Sequence, residues 1–99
     1  MKERSKILIV DDRPENIFSL EQLLSEIDAE VISASNGNEA LTATLNHDFA
    51  VALLDVQMPE MDGYELAEFF RSEEKTRQLP IIFVSAVYMS IEHVFKGYD

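Results

Sequence analysis

Short apolar runs that stop abruptly at polar residues set the rhythm of the chain. Lys6-Ile-Leu-Ile-Val10 stops at Asp11-Asp12, Phe49-Ala-Val-Ala-Leu-Leu54 stops at Asp55, and Ile81-Ile-Phe-Val84, introduced by Pro80, stops at Ser85. A continuous apolar run of this length predicts a strand buried on both faces, as in a parallel sheet covered by helices. Glu30–Ser33 predicts one more strand, after Asp28-Ala29 breaks the preceding pattern.

Between the runs, apolar residues recur at helical spacing. Pro14 suits the first turn of a helix, with Asp12 or Arg13 at the cap, and Ile17, Leu20, Leu23, Leu24 and Ile27 carry the stripe as far as Ile27. Asn36-Gly37 marks a turn, and Asn38 to Leu45 predicts a helix burying Ala40, Leu41, Thr44 and Leu45. Gln57 to Gly63 is a loop by composition, in which Met58 and Met61 pack rather than bind metal. Asp62, with Glu65 three residues on, has the spacing of a capping box. The helix from Gly63 to about Ser72 turns Leu66, Phe69 and Phe70 inward. Met89 to about Lys96, with Ile91, Val94 and Phe95, predicts a last helix. The order β-α-β-α-β-α-β-α implies right-handed parallel crossovers and a doubly wound α/β sheet. No repeat and no linker divides it, so residues 1–99 are expected to form a single domain.

Composition narrows the function. Eight Lys plus Arg stand against nineteen Asp plus Glu, a formal net charge of −11. That balance argues against a nucleic-acid surface, because a phosphate backbone demands clustered cations. No apolar run approaches the roughly 20 residues that span a bilayer, and no basic-then-apolar signal opens the chain. The absence of Cys excludes disulfides, thiol catalysis and Cys-based zinc sites. The expectation is an acidic, cytoplasmic domain without a membrane partner.

The candidate chemistry lies at strand ends. In open α/β sheets, ligands bind beyond the carboxyl ends of the strands, where strand order reverses. If the first and third strands are neighbours there, Asp11, Asp12 and Asp55 converge. Three anions so close require a compensating charge, and a hard divalent cation with oxygen ligands supplies it. Without metal, at least one of the three is expected to titrate above the ordinary Asp value, through like-charge repulsion. Asp55 leaves a buried run with a fixed direction, and a positioned carboxylate beside a metal can act as a nucleophile towards phosphorus. Ser85 ends the neighbouring strand, where its hydroxyl can donate to a phosphoryl oxygen. His47 and His93 share no ligand spacing, and Arg71, Lys75 and Arg77 are expected to be a solvated loop.

Three motifs in order, Ile-Leu-Ile-Val-Asp11-Asp12, Leu-Leu-Asp55-Val-Gln-Met-Pro59-Glu-Met-Asp-Gly63 and Ile-Ile-Phe-Val-Ser85-Ala86, resemble the receiver domain of two-component response regulators. The Asp-Asp-Arg-Pro-Glu-Asn16 opening resembles receivers attached to output or kinase modules. The resemblance implies a flavodoxin-like receiver fold with strand order 2-1-3-4 over the four βα units present. It implies that Asp55 accepts a phosphoryl group from a histidine kinase, a phosphotransfer protein or a small phosphodonor. Mg²⁺ (or Mn²⁺) would be held by Asp12, Asp55 and the Gln57 carbonyl, and by Asp11 through water. Ser85 would be the switch hydroxyl, helped by the Ala86 N–H, with phosphoryl lifetime tuned at Gln57 and Val87. The module would switch an output domain or separate effector, and would not be a turnover enzyme.

Receivers have a fifth βα unit whose strand ends in Lys, and this chain stops at Gly97-Tyr98-Asp99 before it. Lys96 falls in the predicted fourth helix and does not take that role. The expectation is a receiver incomplete at its C-terminus, whose open fourth strand, fourth helix or uncovered sheet face favours a homodimer. An aspartyl-nucleophile phosphatase would want a second Asp where Gln57 stands. The alternative is a phosphorylation-independent pseudo-receiver acting as a protein-interaction module; the missing fifth-strand Lys favours it, whereas the acidic residues it would have lost, Asp11, Asp12 and Asp55, are all present.

Overall fold

A computed structural model describes residues 4–84. Strands and helices alternate as β1 (Ser5–Val10), α1 (Pro14–Leu23), β2 (Ala29–Ala34), α2 (Gly37–Asn46), β3 (Val51–Leu54), α3 (Gly63–Ser72) and β4 (Ile81–Phe83). The four strands form one parallel sheet in the order β2-β1-β3-β4. The order reverses between β1 and β3, as the resemblance to receivers implies. The predicted fourth helix, with Ser85, Ala86, Val87, His93 and Lys96, lies outside the described residues.

Strand side chains alternate between faces, which divides the core in two. Leu8, Val10, Ala52 and Leu54 pack on Ala40 of α2 and on Leu66 and Phe70 of α3. Ile7, Ile9 and Leu53 pack with Leu20 of α1 on the other face. Both faces of β1 and β3 are therefore dry, and each fully buried Leu or Ile contributes about 1.5–3 kcal/mol. That rigid pair of strands aims whatever follows Val10 and Leu54.

Two helices start as their cap residues dictate. Asp62 accepts from the Glu65 N–H at 2.8 Å, and the Glu65 carboxylate accepts from the Asp62 N–H at 3.3 Å, completing the capping box. Asn36 caps α2 through the Glu39 N–H at 2.8 Å. Helix α1 has Pro14 in its first turn and Arg13 at its cap position, with no side-chain cap.

The structure departs from the sequence pattern at several apolar residues. Helix α1 ends at Leu23 rather than running to Ile27, because the chain turns through Leu24, with Ile27 N–H on the Leu24 carbonyl, to begin β2 at Ala29. Leu23 and Ile27 are left exposed. In α2 the buried face runs through Gly37, Ala40 and Thr44, so Leu45, a helical step of about 100° beyond Thr44, is 76% exposed rather than buried. In α3 the inward face is Gly63, Leu66 and Phe70, and Phe69 is 47% exposed. Ile81 and Phe83 pack on the α2–α3 side, and the pleat turns Ile82 out to an exposed position. Arg71 is also no free solvated cation. Its guanidinium donates to the carbonyls of Arg77 at 2.9 Å and Leu79 at 2.7 Å, pinning the loop that leads into β4. Among the described residues, no helix is long and apolar enough to cross a membrane.

Candidate functional site

The β1–β3 register pairs Val10 with Leu54. Asp11 and Asp55 therefore leave neighbouring strands at the same level. The Asp55 N–H donates to the Val10 carbonyl at 2.8 Å, and the Asp11 N–H donates to the Ala34 carbonyl of β2 at 3.1 Å. Both backbones are still tied to the sheet where their side chains emerge. Carboxylate oxygens of Asp11, Asp12 and Asp55 lie within 4.8 Å of one another. Asp11 is only 2% exposed and Asp55 only 7%.

The three carboxylates differ in their partners. Asp11 accepts from the Arg13 N–H at 2.9 Å and from the Asn16 side-chain amide at 3.1 Å. Burial pushes the Asp11 carboxyl above its ordinary value, the Arg13 N–H pulls it back, and the Asp55 charge raises it again, with smaller effects from Asn16 and Asp12. The direction matches the sequence expectation, although burial is a larger cause than like-charge repulsion. Asp55 accepts from the Gln57 N–H at 3.3 Å. Asp12 has one carboxylate oxygen, Oδ1, that is shut off from solvent with no hydrogen-bond partner.

That orphaned oxygen tests the fit of a cation. A buried polar atom left unsatisfied costs about 1–3 kcal/mol, more when charged. The three side chains that converge offer carboxylate oxygens, the set that suits Mg²⁺ or Mn²⁺ rather than a softer metal. The residues present fit a hard divalent cation.

The loop after Asp55 is tied down at both ends. Met58 is buried in the α2–α3 core, and Met61 packs against the same cluster. The Gly63 N–H donates to the Val56 carbonyl at 3.0 Å. A Cβ on Gly63 would collide with the Asp55 carbonyl oxygen and lie 3.0 Å from the Val56 Cα. Glycine thus lets the start of α3 close down on the end of β3. Glu60 turns the loop with a φ of 70°, a left-handed conformation that few non-glycine residues adopt.

Asp11, Asp12 and Asp55 converge as the strand-end pattern leads one to expect, and Gln57 meets Asp55 through its backbone N–H. Sequence reasoning did not assign Asn16 to the site. The signal was its place five residues after Asp11, on the first turn of the helix that Pro14 opens. Ser85 and Ala86 fall outside the described residues. His47 sits at the other end of the sheet, where its Nδ1 lies 3.1 Å from the Lys6 ammonium. A cavity of about 490 Å³ also opens at that end, between His47, Phe49, Lys75 and Leu79. Asp48 and Glu74 line it but Asp11, Asp12 and Asp55 do not, and it lies away from the strand ends that carry ligands in such sheets.

Residues 7–98 match the model of the response regulator receiver domain. The chain belongs to the response regulator receiver family. It is 38% identical over 90 residues to the sensor histidine kinase GacS of Pseudomonas protegens, covering 88% of this chain and 10% of that one. It is 40% identical over 85 residues to the probable transcriptional regulator ycf27 of Pyropia yezoensis, covering 86% of this chain and 34% of that one. The chain spans between 5% and 34% of the length of these and other curated relatives it matches. Among solved structures, the response regulator TrrA of Thermotoga maritima, in complex with Mg(2+)-BeF, superposes with a TM-score of 0.73 at 33% identity. That match covers 80% of this chain and 67% of TrrA. TrrA has also been solved with the histidine kinase ThkA. As a receiver, this domain is a module of two-component phosphorelay signalling.

Proposed function

We propose that Asp55 is the phosphoacceptor, and that phosphorylation there switches the module to control an output domain or a separate effector. The donor is the phosphohistidine of a histidine kinase or phosphotransfer protein, or a small phosphodonor. An Asp55 carboxylate oxygen attacks phosphorus, the P–N bond to the donor imidazole breaks, and its electron pair returns to the ring nitrogen. The product is an acyl phosphate on Asp55 and a free histidine.

The observation that carries this reading is the convergence of Asp11, Asp12 and Asp55 within 4.8 Å, with a buried Asp12 oxygen unpartnered. Asp12, Asp55 and the Gln57 carbonyl would hold the divalent cation directly, and Asp11 through water. When bound, Mg²⁺ or Mn²⁺ neutralises the charge of the incoming phosphoryl oxygens. Asp11 is fixed by Arg13 and Asn16, so it keeps its orientation as the site fills. The Gln57 N–H orients Asp55. The Ser85 hydroxyl and the Ala86 N–H complete the site in this reading, and Gln57 and Val87 tune phosphoryl lifetime. The domain is a signalling switch of the cytoplasm and not a turnover enzyme. TrrA, solved with a histidine kinase and with a Mg²⁺–fluoroberyllate group, supports both the partner and the cofactor.

The test is labelling with a small phosphodonor, read as a mobility shift on a phosphate-affinity gel. The shift is expected in wild type with Mg²⁺, and is lost with chelator or in Asp55→Asn. A shift of equal size in Asp55→Asn sinks the assignment.

A further inference from the structure

The outer groove between α2 and α3 takes no part in the acidic cluster, yet it is built around one aromatic residue. Phe69 is 47% exposed, although Leu66 and Phe70 on the same helix are fully buried. It lines three adjoining hollows of about 290, 270 and 460 Å³. Half-buried Leu41 and 76% exposed Leu45 share the first of these with Phe69. The groove stays open because α2 and α3 contribute small residues, Ala40, Ala43 and Ala67, to the core beneath it.

Charge around the groove is mostly negative, although Lys75 also lines the hollow beside Leu45. Glu65 and Glu68 flank Phe69 in one hollow, and Glu73 closes the hollow beside Leu45. The two cations of this region are already engaged. Lys75 lies 3.6 Å from an Asp48 carboxylate oxygen and donates to the Leu45 carbonyl at 3.3 Å. Arg71 is held by the carbonyls of the loop before β4. What remains is an apolar strip with an exposed aromatic anchor and an anionic rim.

That surface complements a helix with an apolar stripe flanked by Lys or Arg. We infer that the α2–α3 groove docks a cationic amphipathic helix of a partner protein. Ten residues of α3 span about 15 Å, which matches roughly three turns of such a helix. Phe69 is the anchor, since aromatic side chains at the centre of a patch carry most of an interface's affinity. The carboxylates steer the approach and make binding sensitive to salt.

The test is fluorescence anisotropy with a labelled synthetic helix of about 14 residues, Leu at i, i+3/i+4 and i+7 spacing and Lys on both flanks. Wild type is expected to bind, more weakly as salt rises, and not to bind the same peptide with Glu in place of Lys. Phe69→Ala is expected to weaken binding by about tenfold or more. Circular dichroism checks that this variant is folded. Glu68→Lys/Glu73→Lys, at exposed positions, should weaken binding similarly without touching the core. Phe18→Ala, removing a still more exposed aromatic on α1 across the sheet, should leave binding unchanged. Equal losses from Phe69→Ala and Phe18→Ala would mean only diffuse attraction to an acidic chain, and would overturn the inference. Concentration-dependent self-association that Phe69→Ala abolishes would assign the groove to a second copy, and would overturn it equally.

Discussion

Gly63 lies against the backbone of Asp55. The start of α3 closes onto the end of β3 at this point, and a Cβ there would meet the Asp55 carbonyl oxygen and carbon and the Val56 Cα. The neighbours are backbone atoms of a strand end fixed in the sheet, so they cannot swing aside. Gly63→Ala is therefore expected to destabilise the domain by about 1–3 kcal/mol, the usual cost of overpacking. This outweighs the gain of up to about 1 kcal/mol that Ala brings to a helix. It should also slow labelling of Asp55. Urea denaturation and phosphodonor kinetics check the two effects. Unchanged values in both would mean that the contact does not position Asp55.

Asp11 gives the metal-free protein a pH signature. Its carboxyl titrates above the ordinary value of 3.8, chiefly because it is buried. The folded state therefore holds this proton to higher pH than the unfolded chain. Stability from this residue is present below 3.8 and is lost as pH rises through the raised folded value. At neutral pH the ionised, buried Asp11 works against folding. Asp11→Asn should raise the melting temperature at pH 7 in chelator, with the advantage shrinking towards pH 3. A lower melting temperature for Asp11→Asn at pH 7 would contradict this.

Glu39 acts in the opposite sense. The Ser35 N–H and hydroxyl hold its carboxyl below the ordinary value of 4.5. Its contribution is present above pH 4.5 and is lost as pH falls through the lowered value. Glu39→Gln should remove that loss, leaving a flatter acid limb in a thermal pH series.

Divalent metal should stabilise the fold through Asp12. A ligand that binds only the native state adds about 2.7 kcal/mol at a hundredfold excess over its Kd. Melting temperature should rise with Mg²⁺ in wild type and stay flat in Asp12→Ala. Without metal, Asp12→Ala should cost little, because it removes a carboxylate oxygen that is buried and unpartnered. Equal Mg²⁺ responses in the two proteins would place the cation elsewhere.

The capping box of α3 should be visible in stability. Asp62→Ala removes the acceptor for the Glu65 N–H and is expected to cost about 1 kcal/mol, read from chemical denaturation. A change within error would mean that water caps the helix as well.

Much of this was legible in the sequence, for definite reasons. Ile7–Val10 and Leu53–Leu54 are dry on both faces, so the pattern announced parallel strands, and their abrupt polar ends marked the site. Asp62 and Glu65 announced the α3 cap by type and spacing. Three of the misreadings share one cause. Leu45 and Phe69 each stand one position from a buried residue, and Ile82 stands between half-buried Ile81 and Phe83, which pack on the α2–α3 side; hydrophobicity alone does not say which neighbour faces the core. Leu23 and Ile27 continued a helical stripe past the point where the chain turns towards β2. Arg71 binds carbonyls of a loop that sequence patterning leaves featureless. Asn16 reaches Asp11 only because Pro14 starts α1 immediately after the strand.

The most direct test of the account is to map the phosphoryl group on the chain. Wild type is treated with a small phosphodonor and Mg²⁺, the acyl phosphate is reduced with borohydride, and peptides are sequenced by mass spectrometry. Reduction is expected at Asp55, absent when Mg²⁺ is chelated and absent in Asp55→Asn. Modification at Asp11, Asp12 or another residue, or none at Asp55 with Mg²⁺ present, would contradict this.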